Sequence, residues 1–172
     1  FETYSDVLPT RKEGVNAWIA IMRGCNKFCT FCIVPFTRGR ERSRPIDSIV
    51  REIRQGVDEG FVEFTLLGQN VNSYRTPDGR FPELLDRVAS IEGVKRLRFS
   101  SPHPRDVDDG MLQVMSSYSN ICNHVHLPLQ AGNDRILKRM NRTYTKQEFL
   151  DLSSKIRDYM PGCSITTDII VG

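Results

Sequence analysis

Val15-Asn16-Ala17-Trp18-Ile19-Ala20-Ile21-Met22 is an apolar run that stops at Arg23-Gly24, and Cys25-Asn26-Lys27-Phe28-Cys29-Thr30-Phe31-Cys32 follows at once. The length of the run and its β-branched and aromatic content read as a strand buried in a sheet. The three cysteines then stand on the loop that leaves its carboxyl end. Pro45 opens a helix whose apolar face is Ile46, Ile49, Val50, Ile53 and Val57, at helical spacing. Strand, loop and helix are thus the first unit of the chain.

The unit recurs. Residues 61–67 read as a strand, and 82–91 as a helix with Leu84, Leu85, Val88 and Ile91 facing inward. Residues 94–100, 121–129 and 163–171 read as further strands. Residues 106–118, 134–141 and 145–159 read as helices, the last opened by a capping box of Thr145 with Glu148. About five strands separated by helices predict an α/β fold with a parallel sheet and right-handed crossovers. Two architectures fit this pattern, an open doubly wound sheet and a barrel or part of one. A complete eightfold barrel takes about 250 residues, so 172 residues supply only part. Either way, ligands bind where strands end. The cysteine loop, Gly68-Gln69-Asn70, residues 100–105 and Gln130-Ala131-Gly132 all follow strands and are expected to converge.

Composition narrows the class. Hydrophobic residues make up 39% and charged residues 26%, as in a soluble globular protein. No apolar stretch approaches the roughly 18 residues of a membrane span. Residues 1–14 are polar, lack a signal pattern and an initiator Met, and read as a linker from a preceding domain, with the folded core at 15–172. Five cysteines, three of them within eight residues, do not resemble a disulfide framework and point to a reducing cytoplasm. Within residues 23–44, six lysines and arginines stand against one glutamate, although the whole chain carries only +3. That segment makes a field suited to a polyanion.

Three thiolates at Cys25, Cys29 and Cys32 suit one soft metal centre. A [4Fe–4S] cluster has four iron corners, so three ligands leave one iron open to a substrate or cofactor. A zinc site would need a fourth ligand, from His103, His124 or His126. A thioredoxin-like pair of Cys29 and Cys32 leaves Cys25 unused. Three unliganded thiols are the remaining reading.

Residues 24–32 resemble the CxxxCxxC loop of radical S-adenosylmethionine enzymes, including the aromatic Phe31 before the third cysteine. Residues 33–45 resemble those of the tRNA and ribosomal methylthiotransferases. Within that family, residues 66–74, 100–104, 127–133 and 167–172 are most similar to enzymes acting on isopentenyladenosine-37 of tRNA. The resemblance implies a partial (β/α) barrel and two cofactors, a [4Fe–4S] cluster on Cys25, Cys29 and Cys32 and S-adenosylmethionine on its open iron. It implies cofactor contacts from Phe31, Gly68, Gln69, Asn70, Ser100, Ser101, Gln130 and Arg142, with Arg142 on the methionine carboxylate. Gln69 stands where the superfamily usually has an acidic residue. A 5′-deoxyadenosyl radical then removes hydrogen from C2 of the adenine, where a methylthio group is installed. The implied partners are tRNA, an electron donor, an N-terminal domain carrying a second cluster, and a C-terminal TRAM domain. These 172 residues are expected to form a core incomplete at its C-terminal end and unable to complete methylthiolation alone. A relative acting on threonylcarbamoyl-adenosine or a ribosomal protein, and a zinc-bound RNA-binding module without chemistry, are the competing functions.

Weighed beside these are plainer roles. Arg38, Arg40, Arg42 and Arg44 are expected to contact RNA phosphates, against the alternative of a solvated loop. Trp18, Cys122 and Cys163 are expected in the core, and His124 and His126 as packed, hydrogen-bonded histidines. His103 is a further candidate to line the site.

Overall fold

The computed structural model describes residues 14–171; the expected linker therefore lies outside the described residues except for Gly14, as does Gly172. The elements run β1 (Asn16–Ala20), β2 (Met22–Arg23), α1 (Val34–Thr37), β3 (Arg42–Ser43), α2 (Ile46–Asp58) and β4 (Glu63–Leu67). They continue with a 3-10 turn (Val71–Ser73), β5 (Arg75–Thr76), β6 (Gly79–Arg80), α3 (Phe81–Ala89), β7 (Arg96–Phe99) and a second 3-10 turn (Pro104–Asp106). The last are α4 (Asp109–Ser117), β8 (His124–His126), α5 (Asp134–Arg139), α6 (Lys146–Tyr159) and β9 (Ser164–Thr166).

β1 pairs in parallel with β4, and β4 with β7. A parallel bridge from Leu97 to Ile121 joins β7 to the segment entering β8, which pairs in parallel with β9. Five parallel strands therefore stand side by side in chain order, with no reversal. Right-handed crossovers in one direction place every connecting helix on the same face. That decides between the two architectures: a doubly wound sheet reverses its order and is covered on both faces, whereas this is part of a barrel.

Burial alternates accordingly. Ala17, Ile19, Phe64, Leu66, Leu97 and Val125 face the helices and are buried against Ile49, Ile53, Leu84, Leu85, Val88, Leu112 and Ile156 in one apolar cluster. The opposite, inner face is polar. Its register aligns Asn16 with Glu63 and Arg96, and Trp18 with Thr65 and Arg98. Glu63 takes hydrogen bonds from Arg96 Nη1 at 3.0 Å and Arg98 Nε at 2.9 Å.

The opening strand corrects two expectations. Its letters are continuously apolar, but it alternates like any strand with one covered face. Trp18 is 59% exposed on the inner face, not in the core. Cys122 likewise is only half-buried, while Cys163 is buried. The helices keep their predicted faces, and the Thr145–Glu148 capping box is present at α6. The short ladders β2–β3 and β5–β6 and the helix α1 went unforeseen.

Candidate metal and cofactor site

The cysteine loop leaves β1 through β2 and returns through β3, and the antiparallel pairing of Arg23 with Arg42 closes its base. Gly24 has φ +83, and a Cβ there would lie 2.1 Å from the Arg40 carbonyl oxygen, so only glycine lets the two sides of the loop meet. Cys25 N–H donates to the Gly39 carbonyl at 3.1 Å. Asn26 N–H and its side-chain amide both donate to Glu41, each at 3.2 Å.

Three distant segments hold the loop. On one side Gly24 N–H donates to Gln69 Oε1 at 2.7 Å, and Lys27 Nζ reaches Asp106 Oδ1 at 2.7 Å. Asp106 also accepts from Asn70 Nδ2 at 2.8 Å. On the other side Asn141 Nδ2 donates to the carbonyls of Lys27 and Phe28 at 3.2 and 2.9 Å, and Thr30 N–H donates to the Met140 carbonyl at 3.1 Å. Phe28, Ser101, Gln130 and Asn141 are the non-glycine residues with positive φ among the described residues, and all lie on segments at this end of the strands. Backbone strain of this kind collects where a fold positions chemistry.

The segments after β4 and β7 thus meet the cysteine loop, joined by the end of α5, although the sequence left the clamps themselves unmarked. Asn141, an asparagine in the left-handed conformation after α5, carried a helix-end signal. Asp106 and Glu41 carried none.

The three sulfurs belong to one electrostatic unit. Burial raises the Cys25 thiol pKa above its ordinary value; Glu41, Cys29 and Cys32 push it further, against a lowering hydrogen bond from the Lys27 N–H. A cationic centre among the sulfurs would remove that penalty, because a metal binds the thiolate. A lone zinc needs sulfurs about 3.8 Å apart at Zn–S lengths near 2.3 Å; a four-iron cluster presents separate corners. The histidines offered as a fourth zinc ligand are used elsewhere. His103 Nδ1 accepts from Arg105 N–H at 3.2 Å, and His124 Nε2 and His126 Nδ1 both bond to Thr166 Oγ1 at 3.0 Å. Three thiols with no histidine bonded to them match a soft, three-thiolate donor set.

His103 is buried and stays neutral. Burial pushes its pKa down to about 3, with the positive charges of Arg142 and Lys27 adding and Asp106 opposing. Its backbone N–H donates to Asn72 Oδ1 at 2.8 Å, and Asn72 Nδ2 returns the bond to the His103 carbonyl at 3.0 Å. This fixes residues 100–105 against the segment after β4.

The remaining candidates divide. Asn70 is 1% exposed, and its Oδ1 is buried with no hydrogen-bond partner, an acceptor available to a ligand. Gln69 already commits its oxygen to Gly24. Gly68 has Met22 and Val71 against it, with no room for a Cβ. Gln130 holds its backbone in a bridge to Ile169. Ser100 and Ser101 line an inner-face cavity of about 490 Å³ with Trp18, Arg98, His124 and His126. Phe31, Ile33 and Phe36 are exposed on the loop. Arg142 is 9% exposed and engaged: Nη1 to Cys29 Sγ at 3.3 Å, Nη2 to the Pro128 carbonyl at 3.0 Å, Nε to Tyr144 Oη at 2.8 Å.

Of the basic run, Arg38 and Arg40 are exposed and Arg42 half-buried. Arg40 lies over the Phe28 ring at 4.5 Å. Arg44 is a correction: it is 5% exposed and its guanidinium points inward, so it faces no phosphate.

Comparisons with known proteins place the chain in a family. The family described as the Radical SAM superfamily matches residues 19–172. A tRNA-2-methylthio-N(6)-dimethylallyladenosine synthase of Carboxydothermus hydrogenoformans is 54% identical over 169 residues, covering 96% of this chain and 38% of that protein. The protein of that name from Thermodesulfovibrio yellowstonii is 52% identical over 162 residues, covering 94% of this chain and 38% of that protein. The chain therefore spans well under half the length of these relatives. Among solved structures, the cobalamin-dependent S-adenosylmethionine radical enzyme OxsB aligns with TM-score 0.70 at 13% identity, over 89% of this chain and 23% of that one. The radical S-adenosylmethionine methyltransferase TsrM of Kitasatospora setae aligns with TM-score 0.67 at 16% identity, over 91% and 30%.

Proposed function

Because the chain belongs to the radical SAM superfamily, we propose that it is the catalytic core of a methylthiotransferase that places a methylthio group on C2 of N6-isopentenyladenosine-37 in tRNA. The observation that carries this reading is the clamped three-cysteine loop at the carboxyl mouth of the partial barrel. Its relatives at 52–54% identity, which bear the name of that synthase, support the substrate.

Cys25, Cys29 and Cys32 would hold a [4Fe–4S] cluster, which with S-adenosylmethionine bound would supply one-electron radical chemistry at this mouth of the barrel. The chain's own residues hold and orient. Cys25, Cys29 and Cys32 are the cluster ligands, and the Lys27–Asp106 and Asn141 contacts keep their loop in place. Phe31 covers the adenine. Asn70 Oδ1 and the backbone around Gly68 and Gln69 receive the amino group. Ser100, Ser101 and Gln130 border the sugar and methionine. Arg142 has two N–H groups left over for a carboxylate. Arg38, Arg40 and Arg42 meet RNA phosphates at the rim. A low-potential electron donor, a second-cluster domain and a TRAM domain are the proposed partners, in the cytoplasm. No helix of the described residues is long and apolar enough to cross a membrane.

The test is anaerobic reconstitution with iron and sulfide, then reduction with S-adenosylmethionine present. The protein should turn brown and form 5′-deoxyadenosine, and Cys25→Ala should do neither. With tRNA deuterated at C2 of the isopentenyladenosine, the deuterium should appear in 5′-deoxyadenosine. A colourless protein holding one zinc would sink the cluster reading. Label that stays in the tRNA would sink the substrate reading while leaving the cluster intact.

A further inference from the structure

The Arg142–Cys29 contact joins residues 113 positions apart, at 3.3 Å, in the half-buried wall of the site. It is not a loose surface approach. Nη2 is held by the Pro128 carbonyl at 3.0 Å and Nε by Tyr144 Oη at 2.8 Å. Tyr144 Oη in turn lies 2.8 and 3.0 Å from the carbonyls of Pro128 and Leu129, between which its single proton is shared. The guanidinium is therefore anchored on two sides, and its remaining edge is presented to the sulfur. Cys25 has only a neutral counterpart, the Lys27 N–H, which donates to its sulfur at 3.5 Å. Among the described residues, Cys29 alone of the three has a charged, anchored donor.

We infer that Arg142 sets the reduction potential of the cluster, by a fixed charge-assisted hydrogen bond to the Cys29 thiolate. The inference rests on the reading that these cysteines hold a [4Fe–4S] cluster. Reduction adds one electron, taken from a low-potential one-electron reductant. No proton moves and no bond breaks. The added negative charge spreads onto the ligand sulfurs, so a cationic N–H donor stabilises the reduced state more than the oxidised one. Hydrogen bonds to the sulfurs and net local charge are the protein's levers on such potentials, and an ionised donor makes the stronger bond. Partial burial reduces the screening by water. Arg142 thereby raises the potential through the Cys29 sulfur, a role separate from its contact with the methionine carboxylate, and Tyr144 and the Pro128 carbonyl aim it.

The experiment is a dithionite titration of the anaerobically reconstituted protein, followed by EPR of the reduced cluster signal that S-adenosylmethionine perturbs. Wild type, Arg142→Met and Arg142→Lys are compared at equal iron and sulfide content. Arg142→Met should hold about tenfold less reduced cluster at a fixed potential, a midpoint lower by about 59 mV for a one-electron couple. Arg142→Lys, which keeps the charge but loses the fork, should fall between. Where the methionine variant fails to load, the lysine variant decides by the same shift. Loaded variants with the wild-type midpoint would overturn the inference and leave Arg142 a structural residue. A wild-type protein that takes up no cluster would instead sink the underlying reading.

Discussion

Arg44 Nη1 donates to Glu52 Oε2 at 2.7 Å and to the Ala20 carbonyl at 2.8 Å, and Nη2 reaches Ser48 Oγ at 3.0 Å. Both charged side chains are nearly closed off, 6% and 4% exposed. Removing one member of such a pair strands the other, at a cost of about 3–5 kcal/mol. Arg44→Met should therefore lower the urea midpoint steeply, and Arg44→Met with Glu52→Gln should recover part of the loss. A single variant as stable as wild type would show that water reaches Glu52. Trp18 is the opposite case. Residue type argues that a tryptophan in an apolar strand is buried and that an arginine in a basic run is solvated. Both inferences fail because each depends on which way one side chain points. A strand's alternation decides that for Trp18, and Ser48 and Glu52 of the helix that follows decide it for Arg44. The three-cysteine loop was legible as a candidate because the spacing itself is a property of the sequence that no fold rearranges.

The cysteine loop behaves as an element although it has almost no regular structure. Its base is a two-residue ladder, and its neck depends on Gly24, whose φ of +83 and contact with the Gly39 and Arg40 carbonyls leave no space for a side chain. An alanine there costs about 1–2 kcal/mol for the left-handed backbone and must also push the opposite backbone away. The sheet and helices do not depend on that neck. Gly24→Ala should thus keep near wild-type far-UV circular dichroism and lose most of its iron on reconstitution. Full iron loading would show that the neck tolerates opening. The long elements were legible because 3.6-residue and 2-residue periods are written directly in the apolar positions, as for α2 and α3. The ladders β2–β3 and β5–β6 were not, because two residues are too few to display a period. The clamps from Asp106, Asn141 and Gln69 were invisible for another reason: each joins residues far apart in the chain, through groups common on any surface.

Across the whole molecule, charge and architecture point the same way. The partial barrel carries its basic segment at the mouth, beside the cysteines, while the rest of the chain is slightly acidic. Arg44 contributes nothing outward, so the field at the rim comes from Arg38, Arg40 and Arg42, with the exposed Ile33 and Phe36 interleaved. Mixed basic and apolar side chains suit a single-stranded RNA loop, whose phosphates take the charge and whose bases take the apolar contact. Arg40 is restrained over the Phe28 ring, so less side-chain freedom is lost when it meets a phosphate. Each phosphate neutralised on a single strand steepens the fall of log K with log salt by about 0.7. Arg38→Ala with Arg40→Ala should therefore weaken binding of the anticodon stem-loop. The same double variant should flatten that slope by about 0.7 for each phosphate no longer neutralised, measured from about 50 to 200 mM salt. Both positions are exposed and outside the apolar cluster, so the melting temperature should stay within a few degrees of wild type. An unchanged slope in a folded double variant would assign the rim arginines to solvent.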